Sequence, residues 1–347
     1  MNRFSATVFK IPFVLGFWWV EVGSSGFFFR CVQPFYVAAV SQVVLFCFSM
    51  STMLQIAFSP VYQYQLPANH RFPMAKYELI PAQLLHQGIV TQAQFMHPKP
   101  LPEKWILRTH SPTYWASLKH LTISPKAVRK IGFPMRKALV ERGRVIAQGT
   151  IDCALHALRH RSVAMNVAGG THHAFYAHGE GFCVLNDFAI AANYLLDQGL
   201  VQQILVVDLD VHQGNGTAKL FEHEPRGFTF SMHGAKNYPL RKENSDLDIP
   251  LDDGLTDAPY LEILAHYLPD LLQPVQPDMV FYLSGVDVLD SDKLGRLGSS
   301  LQGCQRRDEM VFHWWRAANL PVAVSMGGGY SPRLADIVDA HCSTFNV

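Results

Sequence analysis

The sequence predicts an α/β fold: a central, mostly parallel sheet with helices on both faces and an active site at the carboxyl ends of the strands. Three observations carry this. Short apolar runs of strand length recur along the 347 residues, and four of them lead into segments carrying Gly, Asp or His. Longer stretches with helical spacing alternate with them, and no Ser- or Gly-rich linker breaks the alternation, so one catalytic domain accounts for the chain. In order, Leu54-Gln55-Ile56-Ala57-Phe58 reads as the first strand, and residues 135–159 as a long helix. Strands follow at Val163-Ala164-Met165-Asn166-Val167, Ile204-Leu205-Val206-Val207, Met279-Val280-Phe281-Tyr282-Leu283 and Val322-Ala323-Val324-Ser325-Met326, with helices at 187–198, 260–272, 308–319 and 331–341. The patch His97-Pro98-Lys99-Pro100-Leu101-Pro102 reads as an exposed, extended connector.

The chemistry gathers where strands end, which is where open α/β sheets bind their ligands. Asp208-Leu209-Asp210-Val211-His212 closes the second of these strands and runs into Gln213-Gly214-Asn215-Gly216. Strand alternation puts 208, 210 and 212 on one face, which reads as a metal site, although alternation does not say which of them bind; capping a helix or satisfying loop amides is the structural alternative. The preceding strand leads to Gly169-Gly170-Thr171-His172-His173, then Gly179-Glu180-Gly181-Phe182-Cys183 and Asn186-Asp187. Adjacent histidines in an extended chain point opposite ways, so at least one faces a cleft. The two later strands end in Ser284-Gly285-Val286-Asp287 and Gly327-Gly328-Gly329-Tyr330.

In this order and spacing, with His70-Arg71-Phe72-Pro73-Met74, Thr109-His110 and Gly132-Phe133-Pro134 upstream, the chain resembles the zinc-dependent histone deacetylases. It looks most like the class IV branch and related bacterial proteins, from about residue 53 to the end. The resemblance implies an arginase-like fold and hydrolysis of an N-acyl-lysine amide. Asp210, His212 and Asp287 are then the ligands of one zinc, a donor set that also accommodates ferrous iron or cobalt. His173 is the general base and acid with His172 as its electrostatic partner, and Tyr330 donates to the carbonyl oxygen. Asp208 backs His172, while Asn215 stands where many members back the second histidine with Asp; a neutral amide should leave His173 with the lower proton affinity. Phe182 after Gly181 matches one wall of a lysine channel, Tyr238 the opposite wall, Leu294 the rim, and Gly328-Gly329 let backbone approach the substrate. Asp208 with carbonyls near Asp210, His212, Ser231 and Met232 resembles a structural potassium site. Val286 stands where the family usually has Ala, and its added bulk is expected to reshape the pocket.

Competing functions are weighed on residues. A binuclear ureohydrolase needs a second carboxylate that Asp287-Val288-Leu289 does not supply. A non-catalytic acyl-lysine binder would be expected had a ligand, His173 or Tyr330 been replaced. A small acetylated amine of the acetylpolyamine type would call for a rim carboxylate where Leu294 stands, so acyl-lysine peptides or proteins are preferred. Net charge is +1 with scattered Lys and Arg, which gives no basis for direct nucleic-acid binding. Cys31, Cys47, Cys153, Cys183, Cys304 and Cys342 form no C-x-x-C, as expected of reduced thiols in a cytoplasmic protein. The sequon Asn215-Gly216-Thr217 falls on the active-site loop, which agrees with an interior location. Oligomeric state has no signature.

Residues 1–52 differ from the rest. The apolar runs at 11–20 and 37–48 are each shorter than the ~20 residues of a membrane helix. Arg3 and Lys10 mimic a signal peptide, but no small-residue cleavage site follows Val20. The expectation is a dispensable extension, with translation starting at Met50 or Met53 and residues 53–347 forming the catalytic domain. A membrane-associated leader is the rival reading.

Overall fold

The computed structural model describes residues 9–13, 16–23, 26–29 and 54–346, in two compact units, Met1–Met53 and Leu54–Val347. In the first, β1 (Phe9–Phe13), β2 (Gly16–Gly23) and β3 (Gly26–Phe29) pair as an antiparallel meander, Phe13 opposite Gly16 and Gly23 opposite Gly26. The apolar run at 11–20 thus crosses a hairpin; that at 37–48 lies outside the described residues. Among the described residues no helix is long and apolar enough to cross a membrane.

The second unit is built on eight strands: β4 (Gln55–Ala57), β5 (Phe95–Met96), β6 (Val163–Asn166), β7 (Ile204–Asp208), β8 (Gly227–Gly234), β9 (Leu247–Leu251), β10 (Met279–Leu283) and β11 (Val322–Ser325). They lie in the order β5-β4-β6-β11-β10-β7-β8-β9, and every pairing is parallel. β7 and β10 are buried at every residue. That is why they read as unbroken apolar runs: helices cover both faces of a parallel sheet, so neither set of side chains needs to be polar.

The helices that frame the site are α1 (Lys76–His86), α2 (Lys137–His160), α3 (Asp187–Asp197), α4 (Asn215–Phe221), α5 (Asp257–Tyr267), α6 (Leu301–Ala317) and α7 (Leu334–Phe345). α2 buries Leu139, Val145, Ile146, Ile151 and Ala154 and packs on β4, β6, β11 and α3. α5 stops ahead of the expected boundary because Pro269 opens a 3-10 turn. α6 starts seven residues before the expected 308. Ser300 caps it by accepting from Gly303 N at 3.0 Å, and its buried face includes the ion pair Arg307–Asp308, 2.9 Å apart, which apolar periodicity conceals. Helices Pro112–Lys119 and Pro125–Ile131 lie where none is expected, although each opens on Ser then Pro, the residues that favour a cap and a first helical turn.

The four strands whose ends carry the chemistry, β6, β11, β10 and β7, are consecutive in the sheet. The chain leaves β6 and lays down β7 three positions away; β10 and β11, made last, fill the gap. Four motifs dispersed over 160 residues of sequence are thereby brought to one short stretch of sheet edge.

Candidate active site

β7 ends at Asp208, and the chain then folds by side chains accepting from the backbone two residues on: Asp208 Oδ1 from Asp210 N at 3.1 Å, Asp210 Oδ1 from His212 N at 3.0 Å. The strand alternation expected across 208–212 therefore stops at its first member. Asp208 turns to His172, whereas Asp210 and His212 converge with Asp287. One ligand atom from each of these three lies within 4.8 Å of the others, and all three residues are buried. His212 Nδ1 is 3.0 Å from Asp210 Oδ1 and 3.1 Å from Asp287 Oδ2. Each carboxylate also accepts from backbone, Asp210 from Gly328 N at 2.8 Å and Asp287 from Val211 N at 3.0 Å. Against the cost of burial, the two carboxylates push the His212 imidazolium up to about 10. Burial, then Asp210, pushes Asp287 up to about 7. A proton shared among two buried carboxylates and one nitrogen is what a divalent cation would replace, so the donor set fits such an ion. Gly328 makes the approach possible: a Cβ there would stand 1.8 Å from Asp287 Oδ2.

His172 and His173 follow β6, are both buried, and both line the cavity beside this cluster, with ring centroids 4.1 Å apart. His172 Nδ1 donates to Asp208 Oδ2 at 2.7 Å. Its proton affinity is raised despite burial, by Asp208 and then Asp210. His173 Nδ1 donates to Asn215 Oδ1 at 2.6 Å. Burial and the neighbouring His172 and His212 hold it well below the ordinary histidine range, so the two rings are driven apart. Asn215 sits at the start of α4 and donates its own Nδ2 to Glu180 Oε1 at 2.8 Å. Glu180 is 3% exposed and also accepts from the Tyr238 hydroxyl at 2.6 Å and from Lys130 Nζ, with His178 Nε2 at 3.4 Å. These donors outweigh burial and keep its carboxyl well below the usual range.

Glu180 begins a tight turn closed by Cys183 N donating to Glu180 O at 2.8 Å; Gly181 and Phe182 take φ of +53° and +68°. Both central residues are left-handed, the signature of a type I′ turn. A Cβ on Gly181 would meet His173 Cδ2 at 2.5 Å, so the turn presses backbone onto the imidazole. Phe182, strained in that region, points its ring into the cavity 5.8 Å from Tyr330. The cavity is narrow, about 30 Å³ open to the centre of a water molecule. Tyr330 lines it, and burial, then Asp287 and Asp210, holds its hydroxyl well above the ordinary tyrosine range. The Tyr238 ring stands 5.0 Å from that of His173. Leu294 is half-buried, and its carbonyl accepts from Asn237 Nδ2 at 2.7 Å; neither it nor Tyr238 is among the residues that line the cavity. Val286 is buried under Gly329, where a Cβ would meet its Cγ2 at 2.6 Å, and is not among the cavity-lining residues. Its extra bulk lies behind the pocket wall. Ser231, expected near a potassium site, faces Asp208 in register across β7 and β8.

The histone deacetylase domain matches residues 70–345, nearly four fifths of the chain. The chain belongs to the histone deacetylase domain family. It is 46% identical over 287 residues to an uncharacterized protein of Picosynechococcus sp., covering 82% of this chain and 95% of that one. It is 28% identical over 286 residues to histone deacetylase 2 of Arabidopsis thaliana, covering 78% and 72%. Among solved structures, an HDAC homolog from Aquifex aeolicus superposes with a TM-score of 0.73 at 22% identity, covering 85% and 83% of the two chains. An HDAC homolog complexed with SAHA gives 0.72 at 23%, covering 84% of each. The fold is thus the arginase-like fold of the family.

Within this histone deacetylase domain Lys76 and Arg142 carry no motif-level signal, and Asp187 stands in the Asn186-Asp187 motif without a readable role. Lys76, wholly buried, donates to Gly327 O at 3.0 Å and lies 5.8 Å from the Tyr330 ring. Arg142 lines the cavity and donates to Tyr62 O at 2.6 Å. Asp187 ties down the loop before the histidines, accepting from Thr171 N at 2.7 Å, Gly170 N at 3.2 Å and Thr150 Oγ1 at 2.7 Å. A charged residue among buried apolar neighbours on a helix face was the available hint for Arg142; Lys76 offered none.

Proposed function

We propose that this chain is a zinc-dependent protein lysine deacylase, with Asp210, His212 and Asp287 holding the metal. The observation that carries the reading is a buried Asp-His-Asp cluster beside two histidines whose environments drive their proton affinities apart. When bound, zinc supplies the Lewis acidity that activates water and polarises an amide carbonyl. His173, with its Nδ1 proton committed to Asn215, presents the lone pair of Nε2 to take a proton from that water and hand it to the departing lysine nitrogen. His172, whose proton affinity Asp208 raises against the cost of burial, favours positive charge beside His173 and so limits how tightly His173 keeps the proton. Tyr330, kept neutral, donates its hydroxyl hydrogen bond to the carbonyl oxygen as negative charge builds there.

Phe182 and Tyr238 offer flat apolar faces to the lysine stem. Glu180, the buried carboxylate beside Tyr238, is matched by Lys130 and so gives little attraction to a cationic polyamine; this favours acyl-lysine. An acetylpolyamine-type substrate and a non-catalytic binder are the readings it displaces. A cytoplasmic setting, residues 1–52 as dispensable, and ferrous iron or cobalt in place of zinc belong to the same proposal.

The test is metal-dependent turnover of matched acetyl-, decanoyl- and myristoyl-lysine peptides, with acetylputrescine alongside. Loss of turnover on chelation and in Tyr330→Phe is the expected result. Since a similar protein binds SAHA, that compound is a direct probe of this cavity. Stoichiometric metal with no turnover of any peptide would favour the binder.

A further inference from the structure

The amide of Asn215 has two orientations, and only one of them serves a base. As it stands, Oδ1 accepts from His173 Nδ1 and from Gly216 N, and Nδ2 donates to Glu180 Oε1. Turned over, the amide would offer N–H to the ring. His173 would then answer with a lone pair on Nδ1 and carry its proton on Nε2, where a base needs a lone pair. Hydrogen bonds within the ring's immediate surroundings give only Gly216 N against that inversion.

Glu180 adds the second restraint. An ionised carboxylate accepts and cannot donate, and the groups that hold it are donors: Asn215 Nδ2, the Tyr238 hydroxyl and Lys130 Nζ. An inverted Asn215 would push Oδ1 against that carboxylate in a site of low dielectric. The same residue opens the turn whose Gly181 rests on the His173 ring, so one piece of backbone both carries the acid and bears on the imidazole. We propose that Glu180 is a positioning residue: acting through the Asn215 amide, it fixes His173 as the tautomer with its proton on Nδ1 and a free lone pair on Nε2. The acid that other arrangements place directly against the histidine is here one amide removed, and the amide transmits its polarity as orientation. This rests on the reading of His173 as the base.

The test reads the proton directly. In zinc-loaded protein, imidazole ¹⁵N shifts of His173, assigned by their loss in His173→Gln, should show a protonated Nδ1 and an unprotonated Nε2. Glu180→Gln can turn either end of its own amide to Asn215, so the two tautomers should mix and kcat should fall about tenfold with KM little changed, a part of the roughly 10²–10⁴-fold that a positioned base contributes. If Glu180→Gln does not fold, Glu180→Met, apolar and of equal length, should give the same mixing. With Asn215→Asp the sign reverses: a carboxylate accepts through either oxygen and has no orientation to guard, while it repels Glu180. There Glu180→Gln should raise kcat. A single Nδ1 tautomer in Glu180→Gln, or an equal loss of kcat in both backgrounds, would overturn the proposal. The shifts need no turnover. An enzyme inactive on every amide but with mixed tautomers in Glu180→Gln would reject the base reading alone; full turnover with an unmoved tautomer would reject Glu180 alone.

Discussion

At the residue scale the site is a set of paired environments. The Tyr330 hydroxyl has no role in holding the fold, since only its backbone N is engaged, donating to Asp292. Tyr330→Phe should therefore cost transition-state stabilisation alone, about 3 kcal/mol or roughly a hundredfold in kcat, with KM and melting temperature nearly unchanged. On the proposed reading His173 acts as base only when unprotonated, and its proton affinity lies well below that of an ordinary histidine. The acidic limb of kcat/KM should accordingly fall below pH 6.5. Asn215→Asp stabilises the imidazolium and should move that limb upward; a limb that stays in place would show that Asn215 does not govern the ring. That Asp210, His212 and Asp287 come together beside both histidines and Tyr330 was legible because each motif sits at a strand end and the fold imposes the rest. Glu180 was visible as a letter in Gly179-Glu180-Gly181 and had no readable role, because its partners Asn215, Tyr238 and Lys130 are 35, 58 and 50 residues away.

At the element scale the decisive pieces are loops that bring backbone unusually close to side chains. The Gly327–Tyr330 loop is one. Gly328→Ala would drive a methyl into Asp287 and Asp210 and should reduce metal occupancy to a small fraction, measured as bound zinc per chain. Gly143→Ala, inside α2 with only ordinary contact to Leu185, is the control: full occupancy, and stability equal or raised by up to about 1 kcal/mol. The central strands were legible as apolar runs because both of their faces are covered. The outer ones were not. β5 is two residues long, and β9 is a half-buried edge strand that alternates polar with apolar and carries Pro250, a residue that edge strands tolerate and central ones do not. The helix opening at Asn215 was hidden for another reason: its first residues, Asn and Gly, are poor helix formers placed there by the needs of His173.

For the whole molecule, buried neutral histidines set the response to acid. His110 accepts from Asn186 N at 3.0 Å and donates to Phe175 O at 2.9 Å, an arrangement open only to the uncharged ring, and burial pushes it down to about 4. The unfolded chain, titrating near 6.5, binds the proton first, so stability is whole above pH 6.5 and drains away as pH falls toward 4. His110 alone accounts for about 3 kcal/mol over that window. Urea unfolding at successive pH values should show the loss, and His110→Gln should flatten it while lowering stability at neutral pH. If the Asp-His-Asp cluster holds a metal as proposed, chelation should also lower the melting temperature, because such an ion would bind only the folded ligand set. A chain beginning at Met53 should match the full chain in turnover and unfolding, as measured side by side; a large drop in either would make residues 1–52 part of the working protein.

The order in which strands enter the sheet has a consequence for biosynthesis. Strands β6 and β7 emerge from the ribosome early but become near neighbours only through β10 and β11, which come last. Until then Asp210 and His212 have no Asp287 to meet, and the floor of the cavity lacks Gly328. A nascent or prematurely ended chain therefore carries two of the three residues of the Asp-His-Asp cluster beside unpaired, largely apolar strand edges, the condition that invites aggregation and chaperone capture. Completion of the sheet and assembly of the Asp-His-Asp cluster become one late event, so a chain that has failed to finish folding also lacks the site.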